Sequence, residues 1–273
     1  MIKSCATIAL VPEITSGPWI YWDAPDISIP KAAGLGFDAV ELFTASADAV
    51  DPARLQRLCD ANNIAIAAVG TGAGKVLHGL TLTSPDENVR RQAVAFITDM
   101  IAFGAKFSAP AIIGSMQGNV ESGTDRPQAL TWLAEGLNDL GKFAQDQGVN
   151  LIYEPLNRYE TNMFNQLAPA AEFLDTLNTN NVVLLADLFH MNIEEQSIAD
   201  AIRTNAKHIG HVHFADSNRR PVGMGHTDMT DIVRALTETG YDRYASAEAL
   251  PWPDSDTAAE QTIRAFKECF PPA

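Results

Sequence analysis

Cysteine is scarce in this 273-residue chain: Cys5, Cys59 and Cys269 stand far apart and form no CxxC pair. Three is also an odd number, so a disulfide framework is not expected. Free thiols in a reducing compartment, the cytoplasm, are. Long apolar runs are missing too, and no uninterrupted stretch is long enough to cross a membrane. The N-terminal MIKSCATIALVPEITSG has a short apolar run followed by a proline and an acid. It reads as a first buried strand rather than as a signal peptide. Basic residues are outnumbered, with 19 Lys and Arg against 34 Asp and Glu. The resulting net charge of −15 repels phosphate backbones and argues against a nucleic-acid partner. There is no low-complexity tract, no repeat and no long linker. With 46% hydrophobic and 19% charged residues, the chain buries a core instead of remaining disordered.

What is present is a succession of short, β-branched apolar runs: CATIAL, DAVELF, IAIAAVG, APAIIGS, VNLIYE, NVVLLAD, HIGHVHFAD and YASAEAL. Each is too short for a helix and reads as a strand buried on both faces. The segments between them carry helical spacing. Leu130, Leu133, Leu137 and Leu140 fall three and four apart on one face, and Gly148 stops that helix. Before the run containing Val89, Ala93, Phe96 and Met100, the spacing predicts a cap at Ser84, Pro85 at the first helical position and Glu87 completing a capping box. Eight strand–helix alternations predict an α/β fold, a (β/α)₈ TIM barrel forming one domain over residues 1–273. An open doubly wound sheet would put a glycine-rich turn after its first strand. Here that strand leads into VPEITSGPWIYW.

In such barrels the chemistry sits at the C-terminal strand ends. The last four strands end in YEPLNRYETN, LLADLFHMNIEE, HVHFADSNRR and ASAEALPW. They offer Glu154, Asp187, His213 and Glu248 to one central point. Four such groups converging on an apolar barrel are costly unless a cation compensates them. Three carboxylates and one imidazole make a mainly oxygen shell, which suits one divalent ion, Mn²⁺ foremost, with Mg²⁺ or Co²⁺ as alternatives. His211 shares the parity of His213 and reads either as a support for it or as core packing. Asp216 reads either as an orienter of His213 or Arg219 or as a turn residue. Trp19, Trp22 and Trp252 lie in loops, where they would cover the barrel mouth in a homodimer or homotetramer or form an apolar wall for a ligand.

These four strand-end motifs, together with GMGHTD at 223–228, resemble the ketose 3-epimerases, the D-tagatose, D-psicose and L-ribulose 3-epimerases of the xylose-isomerase-like barrel superfamily. The resemblance covers the C-terminal half of the chain. It implies Glu154, Asp187, His213 and Glu248 as metal ligands and Glu154 with Glu248 as an acid–base pair. It implies Glu160 at the O1 end of a keto-sugar, and His190 and Arg219 at O2. The implied reaction is epimerisation at C3 through a metal-stabilised cis-enediolate. A related aldose–ketose or hydroxypyruvate-type isomerase, or a keto-inositol isomerase or dehydratase, would use the same site. An abasic-site endonuclease of that superfamily would need more than the six histidines present and a basic groove. The chain departs from the resemblance at Met229 after GHTD, in the first loop PEITSGPWIYWDAPD, and in VGTGAGKVLHG. That glycine-rich run lies in a barrel loop and does not read as a nucleotide site.

Overall fold

Every one of the eight apolar runs forms a strand in the computed structural model, which describes residues 1–271. The strands are β1 (Lys3–Leu10), β2 (Ala39–Thr44), β3 (Ala65–Gly70), β4 (Ala111–Ile113), β5 (Leu151–Tyr153), β6 (Val182–Asp187), β7 (Ile209–His213) and β8 (Tyr244–Ala247). They are hydrogen-bonded in sequence order and close into a parallel barrel, β8 pairing with β1. The barrel is the expected one; residues 272–273 of the expected domain lie outside the described residues.

The helices are α1 (Pro25–Leu35), α2 (Pro52–Asn62), α3 (Ala73–His78), α4 (Glu87–Ala105), α5 (Arg126–Asp146), α6 (Leu167–Leu174), α7 (Leu188–Glu194), α8 (Ile198–Asn205), α9 (Met229–Glu238) and α10 (Ser255–Cys269). Two helices follow β3 and two follow β6, where the sequence pattern suggested one each. Among the described residues no helix is long and apolar enough to cross a membrane. Leu133, Leu137 and Leu140 bury as their spacing requires, while Leu130 stays half-exposed. Gly148 takes the left-handed φ of 77° that ends α5. The cap of α4 is not Ser84. Asp86 accepts from the Asn88 N–H, and Ser84 Oγ instead accepts from the Asp86 N–H. The charged side chain nearer the helix captures the free amide, and Ser84 folds the preceding turn.

Alternate positions along each strand divide the core. Leu184 and Ala186 pack outward with the helices, whereas Leu185 joins Ala68, Ile112 and Ile152 in a separate cluster inside the barrel. Above that layer the inward positions become polar. Two register shifts interrupt the ladder: β3 carries Ala67 as an extra residue opposite Val40 and Glu41 of β2, and β7 carries Gly210 as an extra residue opposite Leu184 and Leu185 of β6. Such irregularities re-aim the neighbouring side chains.

Close packing between the layers is sensitive to single atoms. A Cβ at Gly104 in α4 would meet the Ala109 carbonyl at 2.5 Å and Val69 Cγ2 at 3.0 Å, whereas one at Gly34 in α1 meets nothing within 4 Å. Gly104→Ala is expected to lower stability by about 1–3 kcal/mol. Gly34→Ala is expected to raise it by up to ~1 kcal/mol through helix propensity. Urea unfolding of the two variants checks both signs.

Candidate active site

Strand-end residues turn their side chains into a cleft of about 240 Å³ at the barrel mouth. Glu154 and Glu248 lie one residue beyond the β5 and β8 ladders, while Asp187 and His213 are the last residues of β6 and β7. Pro155 and the β8–α10 loop take over where pairing stops, so the two glutamates leave the strands without leaving the barrel axis. His213 is the hub. Its Nδ1 lies 3.1 Å from Asp187 Oδ2, 3.6 Å from Glu154 Oε1 and 3.7 Å from Glu248 Oε2. One donor atom from each of the four residues fits within 4.8 Å of all the others. The close approach of Glu154 depends on Gly114 after β4, where a Cβ would sit 2.5 Å from Glu154 Oε2.

Asp187 serves two structures at once. Its Oδ1 accepts from the Phe189 and His190 backbone N–H groups and caps α7, which leaves Oδ2 for the hub. The α7 helix thereby carries His190 into the site. The Asn157 backbone N–H donates to His190 Nδ1 at 3.2 Å, so a neutral His190 bears its proton on Nε2. That Nε2–H lies 3.8 Å from both Glu154 Oε1 and Asp187 Oδ2. Among the described residues neither His190 Nε2 nor Glu154 Oε1 has a hydrogen-bond partner. Asn157 also donates to Glu160 Oε1 at 3.0 Å, and that oxygen stands 3.4 Å from the Arg219 guanidinium. Arg219 in turn donates to Glu248 Oε2 at 2.5 Å and lies over the Phe189 ring at 4.8 Å.

Burial dominates the acid–base properties. It pushes Glu154 above the ordinary carboxylate value; His213 offsets part of the rise, and the like charge of Glu248 adds to it. Asp187 is also penalised by burial, yet His190, His213 and Arg219 hold it well below the usual range. Burial acts to lower His213, but the carboxylates around it, Glu41 first, raise it well above the ordinary imidazole value. Two carboxylates against one imidazole therefore differ in proton affinity because of what else each touches.

All seven residues singled out in the sequence, Glu154, Glu160, Asp187, His190, His213, Arg219 and Glu248, meet at this mouth. Three residues escaped sequence reasoning. Glu41 on β2 hydrogen-bonds both His211 and His213, and its signal was a charge inside the otherwise apolar DAVELF. Asn157 had no signal beyond a place in a loop. Phe43, on β2, stacks on Trp19 at 4.3 Å to form one wall of the cleft. Of the three loop tryptophans, Trp19 thus faces the site, Trp22 packs edge-on against it at 5.4 Å, and Trp252 stays exposed beneath the Arg220 guanidinium. Asp216 contacts neither the His213 nor the Arg219 side chain through its carboxylate. Its oxygens accept the backbone N–H groups of Ser217, Gly223 and Thr227, and its carbonyl accepts from Arg219 N–H. These bonds shape the loop in which Arg219 adopts a left-handed φ of 57°. The end of β3 and the glycine-rich segment after it supply Gly70, Thr71 and Gly72 to the cleft. A wider cleft of about 600 Å³ beside α2 is mostly apolar, and its Asp51 and Arg54 are engaged in capping α2 and pairing with Asp26.

The pattern of the xylose isomerase-like TIM barrel family matches residues 29–269. The D-psicose 3-epimerase of Agrobacterium fabrum is 34% identical over 219 residues, 78% of this chain and 75% of that protein. The L-ribulose 3-epimerase of Mesorhizobium japonicum is 30% identical over 209 residues, 76% and 69% of the two chains. A crystal structure of D-psicose 3-epimerase in the presence of D-fructose superposes with a TM-score of 0.76 at 26% identity, covering 96% of this chain and 98% of that one. These relatives are named as epimerases, which are isomerase-class enzymes.

The Asp216 bonds generate an expectation of their own. Burial works to raise this carboxyl, but the backbone N–H groups, Thr227 first, hold it below its ordinary value. A depressed folded pKa means that its stabilisation is complete above the unfolded value near ~4 and is lost as pH falls below it. Asp216→Ala should destabilise the fold by about 1–3 kcal/mol. It should also speed hydrogen exchange at Ser217, Gly223 and Thr227, and lowering the pH of the unmodified protein below that range should reproduce part of the effect.

Proposed function

The chain belongs to the xylose isomerase-like TIM barrel family, and on that footing we propose that it epimerises a keto-sugar at C3. The observation that carries this reading is the placement of Glu154 and Glu248 at 3.6 and 3.7 Å from one imidazole nitrogen, across a cleft otherwise walled by Trp19 and Phe43. The identity to named ketose 3-epimerases supports it.

The residues fit a divalent ion. Three carboxylates and an imidazole crowd one buried point, and Glu154 Oε1 is buried with no protein donor. Glu154, Asp187, His213 and Glu248 would hold the ion, with Mn²⁺ favoured by the oxygen-rich set and Mg²⁺ or Co²⁺ as the alternatives. When bound, such an ion supplies Lewis-acid polarisation of the sugar carbonyl. The chain's own groups do the rest. One glutamate removes the C3 proton; the C–H electron pair forms the C2–C3 double bond of an enediolate while the carbonyl π pair moves onto O2. The other glutamate delivers a proton to C3 from the opposite face; the C2–C3 π pair forms the new C–H bond and a pair on O2 restores the C2 carbonyl. His190, through its Nε2–H, and Arg219, through its permanent charge, face the developing charge at O2. Glu160, held by Asn157, takes the O1 end. Arg219 is already shared by Glu160 and Glu248, which favours an unphosphorylated sugar. The free thiols Cys5, Cys59 and Cys269 suit the cytoplasm. The exposed Tyr159 and Trp252 near the mouth suit burial in a homodimer or homotetramer, for which light scattering is the measure.

Metal analysis after dialysis should find one Mn²⁺ per chain, lost in His213→Ala and in Asp187→Ala. Full occupancy in both variants would remove the shared site. Glu154→Gln and Glu248→Gln should each slow epimerisation by about 10²–10⁴-fold or more. With saturating Mn²⁺ in deuterated water, each variant should retain C3 proton exchange from one epimer only, and from opposite epimers. Symmetric loss with metal still bound contradicts the two-face assignment. NMR of products from D-fructose, D-tagatose and L-ribulose separates C3 epimerisation from aldose–ketose isomerisation.

A further inference from the structure

Glu41 is buried inside the barrel, one layer below the proposed metal ligands, and the mechanism above gives it no part. It stands on β2, whose pairing with β1 runs without interruption, so simple alternation along the strand turns its side chain inward. Its Oε2 lies 2.7 Å from His211 Nε2, and its Oε1 lies 3.1 Å from His213 Nε2. The two imidazole rings meet edge to face, with centroids 5.6 Å apart. An ionised carboxylate only accepts hydrogen bonds, so both imidazoles must present N–H at Nε2. A neutral His213 then has its lone pair on Nδ1, the atom 3.1 Å from Asp187 Oδ2 and facing Glu154 and Glu248. Without Glu41 the ring could place its proton on Nδ1 and present the wrong face to the site.

We infer that Glu41 is a positioning residue that holds His213 in the Nε2–H tautomer, with Nδ1 directed at the cation, and that His211 braces Glu41 from the other side. The inference rests on the metal site proposed above. A carboxylate behind a ligating imidazole fixes its orientation and raises its basicity, and removing one typically costs about 10–100-fold in metal affinity. The geometry also distinguishes this role from plain packing, because an apolar pair would fill the same space without burying a charge between two rings.

The probe is Mn²⁺ alone, titrated calorimetrically into the metal-free full-length chain, with circular dichroism confirming the fold of each variant. Unmodified protein should bind one ion. Glu41→Gln, which keeps the shape and loses the charge, should still bind one ion about 10–100-fold more weakly. Glu41→Asp, which keeps the charge but shortens the reach, should fall between the two and serves if the glutamine variant does not fold. In Mg²⁺-loaded protein, ¹⁵N NMR should show His213 protonated on Nε2, with that signature disturbed in Glu41→Gln. Unchanged affinity in a folded Glu41→Gln overturns the positioning role while leaving the metal site intact. Two ions in the unmodified protein with one lost in Glu41→Gln also overturns it, and makes Glu41, His211 and His213 a second site. No Mn²⁺ binding by the unmodified protein overturns the metal reading itself, and this inference with it.

Discussion

Four carboxylates, Glu41, Glu154, Asp187 and Glu248, are enclosed together at the mouth of one barrel, and the local structure is arranged around that burden. Burying a charge without a partner costs several kcal/mol or more, so each acid must find compensation or take up a proton. Asp187 finds it in two backbone N–H groups of α7. Glu41 finds it in two imidazoles, and Glu248 in the Arg219 guanidinium. Glu154 is served least, since one of its oxygens is buried with no donor, and burial pushes its proton affinity up. The site's electrostatics therefore converge on the one acid whose compensation is incomplete, beside the imidazole that touches all the others.

The same constraint explains the surrounding backbone. The α7 helix begins where it does because Asp187 caps it, and the capping presents His190 to the cleft. The loop after β7 is shaped by Asp216, whose backbone bonds hold the turn from which Arg219 reaches Glu248 and Glu160. Gly114 leaves room for the Glu154 carboxylate that a methyl group would occupy. Opposite these polar groups, Trp19 and Phe43 stack into an apolar wall, so a bound sugar would meet charge on one side and aromatic carbon on the other. Positioning thus falls mainly to the rigid strand ends, and the shape of the cleft to the β1 and β3 loops.

How much of this could be read in the chain follows from what kind of information each feature needs. Strand periodicity, short β-branched runs and glycine stops are local, and they determined the barrel, its strand order and the polar tips of β5 to β8. The position of Glu154, Asp187, His213 and Glu248 at successive tips was legible because each follows its own strand directly. The cap of α4 was misplaced by two residues, since Ser84 and Asp86 compete for the same amides and only the backbone path chooses between them. Asp216 was open between two roles for the same reason.

Glu41 marks the boundary between the two kinds of knowledge. Its charge in DAVELF was visible, but its partners are 170 and 172 residues away, on the far side of a closed barrel. Asn157, Phe43 and Trp19 likewise acquire their roles from neighbours that sequence spacing does not bring together. The sequence by itself determined which residue types close each strand and hence what chemistry the mouth can hold. Only the tertiary structure decided which nitrogen of His213 faces that chemistry, because closure of the barrel and two register shifts set the distances across it, and hydrogen bonding is decided within tenths of an ångström.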